Sequence, residues 1–167
     1  MGYWQHKALH EEAWEYIRHV IQPDLALLQE VKPPVLDDDE FLLLKEIRGG
    51  WGTAVYTRSM PLEELEFKGY PGRVTAVRTV VAGVMIICVS VHAPVVDGRV
   101  FPHLDRIFDE IEALIENESF IVGGDLNSAR LAEKVWPGYG HGPFFDRLSE
   151  SPFFDCMMKF HEEEQQT

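Results

Sequence analysis

Cysteine is scarce: Cys88 and Cys156 are the only two in 167 residues. Two cysteines so far apart make no disulfide framework and have no zinc spacing. The expectation is a reducing compartment, the cytoplasm by default. Long apolar runs are also lacking. The longest, Val80–Val89, is broken by Gly83 and is too short to span a bilayer. No stretch resembles a signal peptide. Positive charge is in deficit, with 15 Lys and Arg against 28 Asp and Glu, for a net charge of −13. That balance argues against a protein that tracks long stretches of nucleic-acid backbone, because such binding depends on Lys and Arg neutralising phosphates. It does not exclude phosphate chemistry. Sites for divalent cations carry clustered carboxylates, and the bound cation reverses the local field. Small phosphorylated substrates or lipid head groups fit this charge better than long duplex DNA. Internal repeats, low-complexity tracts and interdomain linkers are absent. So is a glycine-rich phosphate loop of either standard pattern.

What is present suits a single globular domain over 1–167. Hydrophobic residues make up 46% and charged residues 26% of the chain, enough for a real core. Residues Lys7–Ile21 read as an amphipathic helix, with Leu9, Ala13, Ile17 and Val20 at helical spacing and Glu11, Glu12, Glu15 and Arg18 between them. Pro23 ends it. Asp24–Glu30 reads as a short buried strand that closes on a carboxylate. Lys32–Glu40, with Pro33, Pro34 and the run Asp37-Asp38-Asp39-Glu40, reads as a solvated acidic loop. It lacks the alternating ligands and central glycine of a calcium loop. Phe41–Ile47, Trp51–Arg58 and Glu63–Phe67 read as strands, with turns at Gly49-Gly50 and Tyr70-Pro71-Gly72. Arg48 and Arg58 read as ordinary exposed arginines.

Arg73–Val81 and Val84–Val91 are rich in Val, Ile and Thr and flank Ala82-Gly83, so they predict a hairpin. Alternation places Val89 and Val91 on one face of the second strand, and Ser90 and His92 on the other. His103–Glu116 is the clearest helix, with Leu104, Ile107, Phe108, Ile111, Leu114 and Ile115 forming one apolar stripe. Phe120-Ile121-Val122 then reads as the end of a buried strand. Gly123-Gly124 allows a sharp turn or a close approach, and Asp125 and Asn127 follow. Strand, crossover helix and strand make a βαβ-like unit. Ser128–Lys134 and Pro143–Ser149 suggest short helices, Phe153–Phe160 a strand or its approach, and His161–Thr167 a polar tail.

Three strands thus end in polar functional groups: Gln29-Glu30, His92 and Asp125/Asn127. Ligands in open α/β sheets gather outside the carboxyl ends of strands. A glutamate at the end of an apolar run is costly to bury unless it is paired or bound to metal. Leu27-Leu28-Gln29-Glu30-Val31, Val91-His92-Ala93-Pro94 and Gly123-Gly124-Asp125-Leu126-Asn127-Ser128 stand in an order that resembles the endonuclease/exonuclease/phosphatase superfamily. That superfamily includes apurinic-site endonucleases and pancreatic deoxyribonuclease. Trp51–Tyr56 resembles the strand that follows the superfamily's glutamate, and the resemblance covers nearly the whole chain.

The resemblance implies a deoxyribonuclease-like α/β fold, a two-sheet sandwich with outer helices, incomplete at both ends. It implies metal-assisted hydrolysis of a phosphate ester, as a phosphodiesterase, nuclease or phosphatase, with Mg²⁺ or Mn²⁺ as cofactor. Glu30, Asp125 and Asn127 would form the metal region. Asp125 would orient or deprotonate the attacking water, Asn127 would aim its amide at a phosphate oxygen, and His92 would touch the phosphate or act as acid or base. The substrate would be a phosphate ester borne by a small molecule, a lipid or a nucleic acid. The superfamily's opening Trp-Asn strand and closing Ser-Asp-His do not match this chain, and Ser90 stands where many members carry asparagine. Exposed sheet edges would then favour self-association. Two other readings stand beside this one: a non-catalytic remnant that binds metal or a phosphorylated ligand, and a nucleotide-binding α/β domain that uses Gly123-Gly124.

Overall fold

A computed structural model describes residues 9–97, 99–130 and 132–156 of the chain. Two β-sheets pack face to face, and helices cover their outer sides. The first sheet has the order β1-β3-β2, with β1 at Leu25–Val31, β2 at Glu40–Arg48 and β3 at Trp51–Arg58, all antiparallel. The second has the order β4-β5-β6-β7, with β4 at Glu63–Leu65, β5 at Val74–Val81, β6 at Val84–His92 and β7 at Ser119–Asp125. The expected hairpin is β5–β6, paired from Val74 opposite Val91 to Val81 opposite Val84. The expected βαβ unit is β6, α2 (His103–Leu114) and β7, since β7 lies parallel to β6.

Strand alternation builds the layers. Odd-numbered positions of β1 and β3 point between the sheets: Leu25, Leu27 and Val55 meet Val77 and Cys88 of the second sheet there. The Cys88 thiol is buried in this layer, and burial pushes its pKa up to about 11, so it is an inert packing group. The opposite face of the second sheet carries Val74, Ala76, Val89 and Val91 against Leu104, Ile107, Phe108 and Ile111 of α2. That is the predicted apolar stripe, in the core. Helix α4 (His141–Ser149) adds Phe144 to the same cluster. Arg147 of α4 is paired with Asp109 at 2.6 Å and Glu112 at 3.2 Å of α2, which ties the two helices together.

The N-terminal helix departs from its predicted face. Helix α1 runs His10–Tyr16 and continues as a π-helical stretch over Ile17–Ile21. Residues 7 and 8 of the predicted span lie outside the described residues. Trp14 and Ile17 enter the core with Leu28, Val31, Ala54 and Tyr56, whereas Leu9 and Val20 are exposed. A π stretch bonds i to i+5 and shifts the following residues around the axis, which carries Val20 off the buried face.

Arg18 and Glu40 also differ from expectation. The sequence places Arg18 on the wet face of a helix and Glu40 in a solvated acidic loop. Both are buried, and they form a two-pronged ion pair, Nε to Oε1 at 2.8 Å and Nη2 to Oε2 at 2.5 Å. The Tyr56 hydroxyl donates to Glu40 Oε1 at 2.7 Å, and the Asp37 N–H donates to Oε2 at 3.0 Å. A buried carboxylate holds its charge only with such partners. Three neighbouring aspartates disguise it as part of a surface run.

Other boundaries are shorter than the sequence suggests. β4 stops at Leu65, α2 at Leu114, and α3 is a single turn over Ala132–Val135. Phe153–Cys156 forms no strand, and the rest of that predicted segment lies outside the described residues, as do His161 and the polar tail. No helix among the described residues is long and apolar enough to cross a membrane.

Candidate functional site

The ends of β1, β3 and β6 and the segment after β7 meet at one side of the sandwich. They enclose an open cleft of about 330 Å³ lined by Glu30, Trp51, Arg73, His92, Ala93, Val95 and Asn127. This is the small end of the range for ligand pockets.

Glu30 reaches the cleft because β1 is irregular there. Its pairing with β3 runs regularly to Leu28, opposite Ala54, and resumes only at Val31, opposite Gly52. Glu30 has a left-handed φ of +50° within that break. A bulge re-aims a side chain at a local cost in backbone strain. Ser90 pins the bulge to the other sheet. Its hydroxyl donates to the Leu28 carbonyl and accepts from Gln29 Nε2, both at 2.9 Å. The alternation predicted for β6 therefore holds, with Ser90 and His92 on the inter-sheet side.

His92 is buried, with Nε2 4.0 Å from Glu30 Oε1 and Nδ1 3.2 Å from Arg73 Nη1. Burial and the Arg73 guanidinium push the imidazole pKa below its ordinary value, against the pull of Asp125 and Glu30. The same Nη1 lies 3.4 Å from Nε2, so the guanidinium faces both ring nitrogens; arginine has only donors, and a ring with an acceptor nitrogen suits it. Arg73 also lies over Trp51, 5.9 Å from the ring centroid, and burial lowers its own pKa against the opposing effect of Glu30. The site thus carries one guanidinium beside a carboxylate and a neutral imidazole.

Gly123 and Gly124 do not form the turn; they are the last residues but one of β7. A Cβ on Gly124 would stand 1.9 Å from the Val91 carbonyl oxygen, and its φ is +146°. Glycine is required there by close approach. His92 pairs with Asp125 in register, and the Ala93 N–H donates to the Asp125 carbonyl at 2.8 Å. The turn comes after Asp125, whose Oδ1 accepts the Asn127 N–H at 2.9 Å. Asn127 has φ +50°, and its Nδ2 donates to the Ala93 carbonyl at 2.8 Å, which fixes the carboxamide at the cleft.

Glu30, His92 and Asn127, predicted from three separate strand ends, therefore line one cleft. Asp125 is exposed beside it rather than among its lining residues. Arg73 and Trp51 also line the cleft, and the sequence does not single them out for it. A two-residue turn at Ala82-Gly83 pairs positions whose numbers total that of Val81 plus Val84, which puts Arg73 opposite His92. That register was the available signal. Arg58, by contrast, lies at the other end of β3 from Trp51 and donates to the Arg18 carbonyl at 3.0 Å.

The donors fit Mg²⁺ in kind: one carboxylate at the cleft, a second beside it and a carboxamide, all hard oxygen groups. Mg²⁺ keeps several waters and needs only one or two carboxylates. Among the described residues, no three His, Cys, Asp or Glu side chains form a group able to enclose a metal. A closed zinc-type site is thus not what these residues make.

The sequence model of the Endonuclease/Exonuclease/phosphatase family matches residues 8–148. No curated protein sequence matches the chain. Among solved structures, the fold is similar to the endonuclease domain of TRAS1, a telomere-specific non-LTR retrotransposon. The TM-score is 0.57 at 18% identity, over 84% of this chain and 63% of that one. It is similar to a humanized D. rerio TDP2 carrying 14 mutations, with TM-score 0.58 at 13% identity, over 79% of this chain and 60% of that one. It is also similar to D. rerio TDP2 complexed with single-strand DNA product, with TM-score 0.53 at 14% identity, over 86% and 64%. At these identities the likeness establishes the two-sheet fold. The chain spans under two thirds of the length of each of these proteins.

Proposed function

Because the chain belongs to the endonuclease/exonuclease/phosphatase family, we propose that its cleft binds a phosphate ester and hydrolyses it with Mg²⁺ or Mn²⁺. The observation that carries this reading is the meeting of Glu30, His92, Asn127 and Arg73, from separate strand ends, on one cleft. Arg73, whose guanidinium lies over the Trp51 ring, is the cation that would receive the phosphoryl oxygens, with donors that can pair two oxygens at once. His92, neutral and edged by Glu30, can accept or return a proton at a ring nitrogen. Asn127, held by Ala93, presents a fixed dipole to charge that develops on phosphate. Asp125 would orient or deprotonate water from the rim. Glu30, with Asp125 and Asn127, would hold the metal ion, which when bound neutralises charge on the phosphoryl oxygens.

The net charge of −13 favours a small phosphate ester or a lipid head group over long duplex DNA. A second reading, binding without turnover, is favoured by one observation. The Asp125 carboxylate is engaged by the Asn127 N–H and lies outside the cleft lining. Hydrolysis of bis-(p-nitrophenyl) phosphate by the 167-residue chain with Mg²⁺ or Mn²⁺ separates the two. Turnover lost with chelator and reduced about a hundredfold or more in Asp125→Asn supports the hydrolase. Absence of turnover in a folded chain that still binds Mg²⁺ supports the second reading.

A further inference from the structure

We propose that His141 is a positioning residue for the cleft: through the Ser128 hydroxyl it holds the left-handed turn from which Asn127 presents its carboxamide. That role rests on the phosphate-ester reading above and adds to it a residue that stands outside the cleft lining.

Asn127 follows β7 in a conformation that residues with side chains rarely adopt, with φ +50°. Such a turn persists only where its surroundings over-determine it. On one side the cleft itself holds the turn. The Asp125 carboxylate accepts the Asn127 N–H at 2.9 Å, and Asn127 Nδ2 donates to the Ala93 carbonyl at 2.8 Å. On the other side, Ser128 and Ala129 belong to no helix or strand. Side chains pin that end instead, and they reach α4. Ser128 Oγ is 2.8 Å from His141 Nδ1, and Arg130 meets Asp146 at 2.5 Å and Ser149 at 3.3 Å.

These contacts differ in weight. The Arg130 and Asp146 side chains are 35% and 68% exposed, and an ion pair in solvent contributes little. His141 is buried, so its bond to Ser128 is costly to leave unmade. A hydroxyl can face Nδ1 as donor or as acceptor, so either tautomer of the ring keeps the bond. The ring is also fixed in place. Phe101 stands edge-on to it, with centroids 5.6 Å apart. Gly140, directly before His141, lies against the same Phe101 ring, where an added Cβ would meet it at 3.3 Å. The Glu133 carboxylate accepts the N–H groups of Gly138 at 2.6 Å and Gly142 at 3.0 Å, which braces the chain on both sides of His141.

Neither Ser128 nor His141 lines the cleft. Their effect on it runs through the direction of the Asn127 carboxamide. A dipole aimed at developing charge is effective only when it is held in place beforehand.

The test separates the hydrogen bond from the packing. His141→Asn keeps a polar atom on Cγ, where Nδ1 stands, and gives up volume against Phe101. His141→Leu keeps volume and gives up the polar atom. Ser128→Ala removes the bond from its other end. The first readout needs no activity: solvent exchange of the Asn127 side-chain amide protons by NMR in the whole chain, with the backbone amides of α2 as reference. Exchange should quicken about two- to tenfold in His141→Leu and in Ser128→Ala. It should stay near the wild-type rate in His141→Asn, with α2 protection unchanged. The double variant of Ser128→Ala and His141→Leu should be no faster than either alone, because both remove the same bond. The second readout is hydrolysis of bis-(p-nitrophenyl) phosphate with Mg²⁺. There kcat should fall about tenfold or more in His141→Leu and Ser128→Ala with KM little changed, and His141→Asn should recover most of it.

A wild-type exchange rate in Ser128→Ala overturns the proposal, since the turn then holds without the bond. Exchange quickened as much by His141→Asn as by His141→Leu also overturns it, since packing is then the whole contribution. If His141→Leu does not fold, Ser128→Ala, at a half-buried loop position, decides alone. The hydrolase reading fails separately. A loosened carboxamide in a chain whose wild type shows no turnover sinks the hydrolase and keeps the positioning role, while turnover with an unmoved carboxamide does the reverse.

Discussion

The Ser90 hydroxyl and the Gln29 carboxamide meet between the two sheets at 2.9 Å, immediately before the residue that delivers the cleft carboxylate. Ser90 also donates to the Leu28 carbonyl. One hydroxyl therefore fixes the bulge that turns Glu30 towards His92. Ser90→Ala removes the donor to the buried Leu28 carbonyl and one acceptor of the Gln29 carboxamide. The expected loss is about 1–3 kcal/mol of unfolding free energy, read from urea unfolding. If Glu30 holds the metal, the Mg²⁺ concentration for half-maximal turnover should also rise, because the bulge is freer. An unchanged midpoint and an unchanged Mg²⁺ requirement would show that the bulge is held by β1 alone.

Much of this site was legible because strands announce their ends. The alternation of Val89, Ser90, Val91 and His92 gave the faces of β6, and the apolar run before Gly123-Gly124 gave β7. What was not legible depends on contacts between distant segments. Arg73 looks like any arginine at the start of a hairpin until the register sets it against His92. Glu40 looks like the end of an acidic loop until Arg18, 22 positions away, is found on it. The π stretch after Tyr16 has no periodic signature, so helical spacing points to Val20 although Trp14 is the residue that is buried.

The Arg18–Glu40 pair predicts an acid-sensitive component of stability. Burial raises the Glu40 pKa, but the Asp37 N–H, the Tyr56 hydroxyl and the Arg18 guanidinium more than offset it and hold the carboxyl below its ordinary value. A depressed carboxyl pKa contributes stability that is fully present above the unfolded-state value of about 4.3 and is lost as pH falls through the folded-state value. Glu40→Gln removes the charge paired with the buried Arg18 guanidinium, which keeps its bond to the Val35 carbonyl, and should cost about 3 kcal/mol or more at pH 7. The gap between wild type and variant should narrow when unfolding is repeated near pH 3. A gap independent of pH would mean that packing, not charge, makes the contribution.

Arg73 is expected to act on binding more than on turnover. Its guanidinium is placed by Trp51 and the His92 ring rather than by the substrate. Removing a charge-assisted contact to phosphate should raise KM for bis-(p-nitrophenyl) phosphate by about tenfold or more in Arg73→Ala. Arg73→Lys should recover part of this, since it keeps the charge but loses the planar fork. Steady-state kinetics on variants with wild-type circular dichroism make the comparison. A KM that does not move in either variant removes Arg73 from the phosphate site.

Gly124 joins the fold to the chemistry most directly. β6 and β7 run parallel, with Val91 beside Gly124 and His92 beside Asp125. The absent side chain at Gly124 is what lets the Val91 carbonyl approach, and the φ of +146° is one that other residues rarely adopt. Gly124→Ala must therefore either push β7 away from β6 or distort the backbone just before Asp125. Both outcomes disturb the Ala93 N–H bond to the Asp125 carbonyl and, through it, the Ala93 carbonyl that holds Asn127. Backbone strain alone should cost about 1–3 kcal/mol, and turnover should fall further than stability explains. Hydrogen exchange at the Ala93 amide is the discriminating readout. Faster exchange there, with α2 amides still protected, would locate the damage in the β6–β7 seam. Uniform loss of protection would instead mean that the seam and the helix layer open as one unit.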